Sequence, residues 1–461
     1  MGSIAVIEAT VDTQTSTASG DDDFVEVVRT QNLVEGKVYH VICSASVETS
    51  NSTDLFEWRL YDNSNAEVVT DSTTIREQAQ SGQPQSYYYV GQITAGSTTI
   101  PNSSLAFQQK GYASTDPEGY QPARTNFVSM LLLEMSDMDS GDYFLATEQN
   151  NSQVQEYAVD RVSHTITGVE EDDEWLVFAW TMYWMNNNTT SLTSRLMCDD
   201  ADTTEPEITF EGEDTDEELG WWWCRSYVMS GDNSSVEWKI QDQREAGVGA
   251  HYCKRTTLFG IKLSSLADSY QSYTASGRNP TDTDFFELET TNFTTTSAGD
   301  VVIVASSIFD AGGTNRKAGQ RIQLDGTTIP NTQPDDENFL NSNDATDELP
   351  LSYVTLIDDA KRDHTYQIDY DVRSSLGTSA VEFEDYTLAV FGTTTFIFPI
   401  IYSAVAKQVY TSGDVASETF GSGSKATQGF ASGDVAGQGF ASGDTASQSH
   451  SSGDVEAEAN P

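Results

Sequence analysis

Basic residues are scarce in this chain: 23 Lys and Arg stand against 72 Asp and Glu in 461 residues, for a formal net charge of -49. Only nine of the basic residues are lysine. Without a basic patch to neutralise phosphates, nucleic acid is excluded as a partner. Catalytic signatures are missing as well: the sequence has no Gly-x-Ser-x-Gly elbow, His-Glu-x-x-His, phosphate loop or dinucleotide fingerprint. The five histidines, His40, His164, His251, His364 and His450, form no pair at metal-ligand spacing. A glycosidase needs only two carboxylates, and no two stand out among so many. The chain is therefore not expected to be an enzyme.

Helical periodicity is also nearly absent. The N-terminus, Met1 to Val6, has neither a basic start nor a long apolar core, so no signal peptide is expected there. One uncharged run, Tyr386–Ala406, is long enough to span a bilayer. Thr393, Thr394, Thr395 and Pro399 interrupt it, and β-branched and aromatic residues dominate. It reads as two buried strands, 387–392 and 396–406, and no membrane contact is expected.

What the chain does have is 20 Phe, 20 Tyr and 8 Trp, too many aromatics for a disordered acidic polymer. The negative charge must then lie on the surface of folded domains. Such a surface repels itself at low ionic strength and is screened at molar salt, where the Debye length is about 3 Å. A lysine-poor, acidic surface over an ordinary aromatic core looks like that of a protein from an extreme halophile.

Period-two alternation marks the clearest strands. Tyr366, Ile368, Tyr370 and Val372 oppose Gln367, Asp369 and Asp371; Val236, Trp238 and Ile240 oppose Glu237, Lys239 and Gln241; Phe56, Trp58 and Leu60 oppose Glu57, Arg59 and Tyr61. The strands recur in one order. A long apolar strand (39–47, 175–184, 301–308) precedes an Arg-aliphatic strand (Arg59-Leu60, Arg195-Leu196, Arg321-Ile322). An aromatic strand follows (Tyr87-Tyr88-Tyr89, Trp221-Trp222-Trp223, Tyr353-Val354), and an apolar strand closes the unit (127–133, 257–263, 386–391). This predicts an all-β chain of three tandem β-sandwiches, jelly-roll or Ig-like, at 24–154, 155–275 and 276–393. The first carries a long insertion, Thr94–Thr125. A Thr/Ser-rich N-terminal arm (1–23) precedes them. An apolar connector strand (394–409) and a decapeptide-repeat β segment (410–461) follow.

The repeat is the most distinctive segment. Ser412-Gly413-Asp414-Val415-Ala416 returns as Ser432-Gly433-Asp434-Val435-Ala436 and Ser442-Gly443-Asp444-Thr445-Ala446, with Phe420, Phe430, Phe440 and then His450 at one position. A unit this short encloses no core alone and must stack, on copies of itself or on other chains. Several chains around a symmetry axis would cover the Phe position, which points to a homo-oligomer. Trp221, Trp222 and Trp223 send rings to both faces of one strand, so an oligomer interface is expected there too, together with Phe420, Phe430 and Phe440.

Two weaker constellations remain. Of the four cysteines, Cys43, Cys198, Cys224 and Cys253, the last three fall in the second sandwich. They are candidates for a disulfide or, with His251, a metal site; buried free thiols are the plain alternative, and no paired Cys-x-x-Cys spacing is present. Asp137, Asp139 and Asp142 superficially match a calcium loop but lack a bidentate Glu in phase. They read as a solvated turn that binds cations such as Ca, Mg, Na or K only opportunistically. No dedicated cofactor is expected.

Taken together, the tandem sandwiches, the repetitive terminal shaft, the acidic composition and the unmarked N-terminus resemble virion surface proteins of haloarchaeal tailed viruses: capsid turrets, decoration proteins and tail fibres. The resemblance implies a trimer or pentamer on the virion surface, in an extracellular high-salt environment. It also implies contacts to other virion proteins and to a host surface glycan or S-layer. A cell-surface adhesin or carbohydrate-binding protein is the alternative, and a secreted halophilic glycosidase is the third reading.

Overall fold

The structure is a computed structural model that describes residues 4–11, 15–16, 24–30, 33–49, 55–77, 84–96, 103–111, 123–185, 191–199, 206–210, 217–231, 233–245, 251–281, 283–297, 299–313, 316–329, 340–342, 347–375, 381–393, 406–410, 418–420, 425–430, 438–440 and 445–450. The chain divides into two units, Met1–Thr395 and Phe396–Pro461.

The first unit holds three groups of strands. The first group is β1 (Ala5–Val11), β2 (Thr15–Ser16), β3 (Val25–Arg29), β4 (Val38–Thr49), β5 (Leu55–Asp62), β6 (Glu67–Val68), β7 (Thr74–Glu77), β8 (Pro84–Thr94), β9 (Leu105–Gly111) and β10 (Ala123–Glu134). The second is β11 (Tyr143–Gln153), β12 (Val159–Val169), β13 (Glu174–Met185), β14 (Leu192–Cys198), β15 (Glu207–Phe210), β16 (Glu217–Val228), β17 (Asn233–Arg244) and β18 (Tyr252–Lys262). The third is β19 (Ser269–Thr274), β20 (Phe286–Thr295), β21 (Gly299–Asp310), β22 (Arg316–Leu324), β23 (Thr327–Thr328), β24 (Leu340–Ser342), β25 (Glu348–Ala360), β26 (His364–Ser374) and β27 (Glu382–Thr393).

Their pairing decides the topology. In the second group the strands order as β11-β18-β13-β16 and β12-β17-β14-β15. Of eight consecutive strands, the first, eighth, third and sixth form one sheet, and the second, seventh, fourth and fifth form the other. That is the double Greek key of a jelly roll. The third group repeats it as β19-β27-β21-β25 and β20-β26-β22-β24, the first as β1-β10-β4-β8 and β3-β9-β5-β7, with β2, β6 and β23 as short additions. The chain is thus three tandem jelly rolls, and the Ig-like alternative is discarded.

Three expected boundaries move. Within the 1–23 segment, expected as an arm, β1 pairs with β10 from Ala5↔Glu134 to Val11↔Val128 and is the edge strand of the first roll itself. The second roll opens at β11 and the third at β19, ahead of the expected starts at 155 and 276. The stretch read as an insertion contains β9, the seventh strand of the first roll, which pairs with both β3 and β5.

Burial explains which strands read as continuously apolar. β13 (EWLVFAWTMYWM) and β21 (GDVVIVASSIFD) are buried almost throughout. They are inner strands of the sheets made by the first, third, sixth and eighth strands, and are covered on both faces. β20 (FELETTNFTT) and β12 alternate, with exposed residues between buried ones, because their sheets keep one wet face. Strand 382–393 carries the buried start of the uncharged run, Tyr386 to Phe391; 394–405 lie outside the described residues. No described helix is long and apolar enough to cross a membrane.

In the second unit the strands are β28 (Ala406–Tyr410), β29 (Glu418–Phe420), β30 (Lys425–Phe430), β31 (Gln438–Phe440) and β32 (Thr445–His450). All pairing is parallel: β28-β30-β32 form one sheet and β29-β31 another. The register joins Ala406 to Ala426, Ala426 to Ala446, and Glu418 to Gln438. Alternate decads therefore stack, so two decads make one coil of a β-solenoid. The aromatic position splits into two register lines, Tyr410-Phe430-His450 and Phe420-Phe440. The decads find stacking partners within their own chain, so neighbouring chains are not required by the repeat.

Candidate functional site

The candidate site is the junction where the three jelly rolls meet. Two of the meetings are sheet continuations. The fifth strand of the first roll, β7, pairs with the sixth strand of the second, β16, at Glu218↔Ile75. The fifth strand of the second roll, β15, pairs with the sixth strand of the third, β25, at Thr209↔Glu348. The fifth strand of the third roll, β24, runs beside the sixth strand of the first, β8, and so completes the cycle. Each roll thus hands its outer sheet to the inner sheet of the next, a pseudo-threefold ring within one chain.

Strand register supplies the equivalent positions. Ser44, Trp180 and Ser306 each sit between a partner on the eighth strand (Ser129, Thr257, Thr387) and one on the sixth (Tyr88, Trp222, Ser352). The sixth strands converge on the axis. The Tyr88 hydroxyl donates to the Pro350 carbonyl at 3.1 Å and accepts from the Ser352 amide at 3.1 Å. The Trp222 ring lies edge-on to Tyr88 at 5.8 Å, and its indole N–H donates to the Cys43 carbonyl at 3.1 Å. The Trp180 indole N–H donates to the Tyr88 carbonyl at 3.0 Å. Hydroxyls on the eighth strands repeat one bond: Ser129 donates to the Val354 carbonyl at 2.5 Å, and the equivalent Thr387 to the equivalent Cys224 carbonyl at 3.2 Å.

This geometry relocates the tryptophans. Trp221, Trp222 and Trp223 are 3%, 0% and 0% exposed. Trp221 and Trp222 both reach Tyr88 of the first roll, at 6.2 and 5.8 Å, and each also packs within its own roll, Trp221 on Phe210 and Trp222 on Phe178, both at 5.7 Å. Both faces of the strand are covered, and the cover comes from the same chain. The triplet offers no surface to another subunit. Side chains at Phe420, Phe430 and Phe440 lie outside the described residues.

No disulfide joins the cysteines; all four thiols are buried. Cys198 ends β14 opposite Trp238, Cys224 lies opposite Phe178, and Cys253 lies opposite Tyr183. Burial pushes the Cys43, Cys224 and Cys253 thiols well above their ordinary range, so they are inert neutral hydrophobes. His251 is buried and its backbone carbonyl accepts from the Val154 amide. No group of three metal-ligating side chains occurs among the described residues. Asp137, Asp139 and Asp142 lie in the turn joining the first two rolls; Asp137 and Asp139 are exposed, and the Asp142 amide closes on the Asp139 carbonyl at 2.9 Å.

A cleft of about 450 Å³ opens where Lys37, His40 and Glu134 of the first roll meet Tyr143 of the second. His40 stacks on Phe259 at 4.8 Å, and burial lowers its pKa to about 4, so it is neutral near pH 7. Lys37 lies 3.4 Å from Glu134 and donates to Ser136 at 2.9 Å. The charged groups of this cleft are already partnered.

No family model matches the sequence, and no curated protein does. Among solved structures, the chain is similar to PNGF-II at 7% identity and a TM-score of 0.25, covering 78% of this chain and 98% of that one. It is similar to a protein of an archaeal virus described by its triple jelly-roll fold and turret assembly, at 10% identity and a TM-score of 0.19, covering 85% and 92%. The infectious bursal disease virus VP2 subviral particle gives 8% identity and 0.20, covering 85% and 81%. The jelly-roll assignment itself rests on the strand pairing of this chain.

Proposed function

We propose that this chain is a structural component of a halophilic virus particle, a capsid turret, decoration protein or tail-fibre spike on the virion surface. The observation that carries the reading is the closed pseudo-threefold ring of three jelly rolls, sheet-continuous at Glu218↔Ile75 and Thr209↔Glu348. Such a ring is a rigid block with its apolar strands turned inward and its alternating strands outward. The acidic surface, at a net charge of -49, suits molar salt. The stacked repeat suits a shaft: among the described residues, β28 and β32 each keep one edge without a partner strand, and an open edge is a template for a further strand.

In this reading the chain assembles with copies of itself, as a trimer or pentamer, and with other virion proteins. Contacts to a host surface glycan or S-layer belong to its exposed end. It carries out no reaction, holds no resident cofactor and binds neither nucleic acid nor membrane. The test is light scattering and negative-stain imaging of the purified protein in about 3 M salt, where exposed charge is fully screened. Symmetric particles with a three-lobed body per chain are expected. Dispersed monomers in that salt would contradict the assembly.

A further inference from the structure

Two pseudo-equivalent seams of the ring carry opposite charge designs. Counting back from the equivalent Thr257 and Thr387, Lys254-Arg255 of β18 occupies the place of Glu384-Asp385 of β27. Counting back from Trp222 and Ser352, Glu218 of β16 occupies the place of Glu348 of β25. Beside the seam between the first and second rolls, Lys254 pairs with Glu218 within the second roll, and Arg255 pairs across the seam with Asp71 at 3.1 Å. Beside the seam between the second and third rolls, the same places hold acids only: Glu384 and Asp385 on β27 and Glu348 on β25, with β21 between them.

The acidic seam is crowded. Across three adjacent strands, Glu348 is directly opposite Asp310, and Asp310 is opposite Glu382. Like charges directly opposite in a sheet destabilise it. From β15, Glu207 also faces Glu348; Arg195 pairs with Glu207, and Thr209 hydrogen-bonds Glu348. Asp385 accepts from the Tyr273 hydroxyl of β19 at 2.5 Å and feels Arg225 of β16.

We infer that the seam between the second and third jelly rolls is a proton-operated latch, closed when the carboxyls of Glu348 and Glu384 are protonated and loosened when both are charged.

The proton affinities agree with the geometry. Burial, then Glu207 and Asp310, raise Glu348 from its ordinary 4.5 to about 7. Burial, then Asp385 and Glu348, raise Glu384 from 4.5 to about 7. Burial raises Asp385 from 3.8 to about 6, against the lowering pull of Tyr273 and Arg225. Glu207 of the second roll adds to the rise at Glu348 and Asp385, so these two groups bind their protons more tightly with the seam closed than with it open. Closing therefore takes up protons, and the stability of the seam falls as pH rises from about 4.5 to about 7, then levels off.

Amide hydrogen exchange of the full chain tests this in molar salt, which screens exposed charges more than half-buried ones. Protection of 206–210 and 348–351 is compared with that of 217–220 in the ion-paired seam, at pH 6 and 8, after correction for intrinsic exchange. The acidic seam is expected to lose protection on the order of tenfold relative to the other between these pH values. Glu384→Lys, which rebuilds the Glu218–Lys254 arrangement, should remove the step, and Lys254→Glu should create one in the first seam. If Glu384→Lys does not fold, the isosteric pair Glu348→Gln with Glu384→Gln should likewise remove it. Equal protection of both seams at both pH values overturns the latch, as does a step that survives in the Gln pair.

Discussion

Replacing Trp222 by alanine is expected to destabilise the three-roll body by about 3–5 kcal/mol, the range for deleting a fully buried large aromatic. The site cannot collapse to fill the space, because three strands from different rolls converge there. The change removes the edge-on contact to Tyr88 at 5.8 Å and the packing on Phe178 at 5.7 Å. It also leaves the Cys43 carbonyl without its indole donor at 3.1 Å. The check is urea unfolding in molar salt, urea being uncharged, followed by circular dichroism. Trp184 is the control: it is half-buried and packs on Tyr252 at 5.2 Å, away from the axis. Trp184→Ala should cost clearly less. Equal losses at the two sites would mean that the axis contributes nothing beyond ordinary burial.

The other large effect lies within the second roll. Arg161 of β12 and Asp242 of β17 form an ion pair at 2.6 Å, with side chains 4% and 0% exposed. The Arg161 guanidinium also donates to the Ser152 hydroxyl at 2.5 Å and the Gln153 carbonyl at 3.3 Å, which ties the edge strand β11 to the opposite sheet. Asp242→Ala removes the counter-charge and leaves a buried cation. A loss of about 3–5 kcal/mol is expected. The double variant Arg161→Met with Asp242→Leu removes both charges and their desolvation cost together, and should recover most of that stability. Urea midpoints of the two variants measure the difference. A double variant as unstable as the single one would mean that the hydrogen bonds to β11, and not the buried charge, carry the effect.

Much of the fold was legible in the sequence. Four strand classes recur in each unit with the same character, and each proved to be one jelly-roll strand: β4, β13 and β21; β5, β14 and β22; β8, β16 and β25; β10, β18 and β27. The first strand of each roll was missed. β11 and β19 are edge strands, the one irregularly exposed and the other of intermediate burial throughout, so they lack the alternation of buried and exposed residues that marks a strand with one wet face. Missing them moved the expected boundaries. Jelly roll could not be told from Ig-like sandwich because the distinction lies in which strands pair, and pairing leaves no periodic trace.

At the site, the Trp triplet sends rings to both faces of β16, and both faces are covered. That the cover is intramolecular was not readable, because hydrophobicity records burial and not whose chain provides it. The acidic seam was hidden among 72 carboxylates. Only the superposition of Lys254-Arg255 on Glu384-Asp385, which needs the strand register, isolates it.

The proposed role depends on the three rolls behaving as one body. Differential scanning calorimetry of the purified chain at pH 6 in molar salt measures this directly, because rolls that share sheets and an aromatic axis must melt together. One transition for the jelly-roll body, with calorimetric and van't Hoff enthalpies in agreement, is the result expected. Three separable transitions, each of the size of a single roll, would contradict the closed ring.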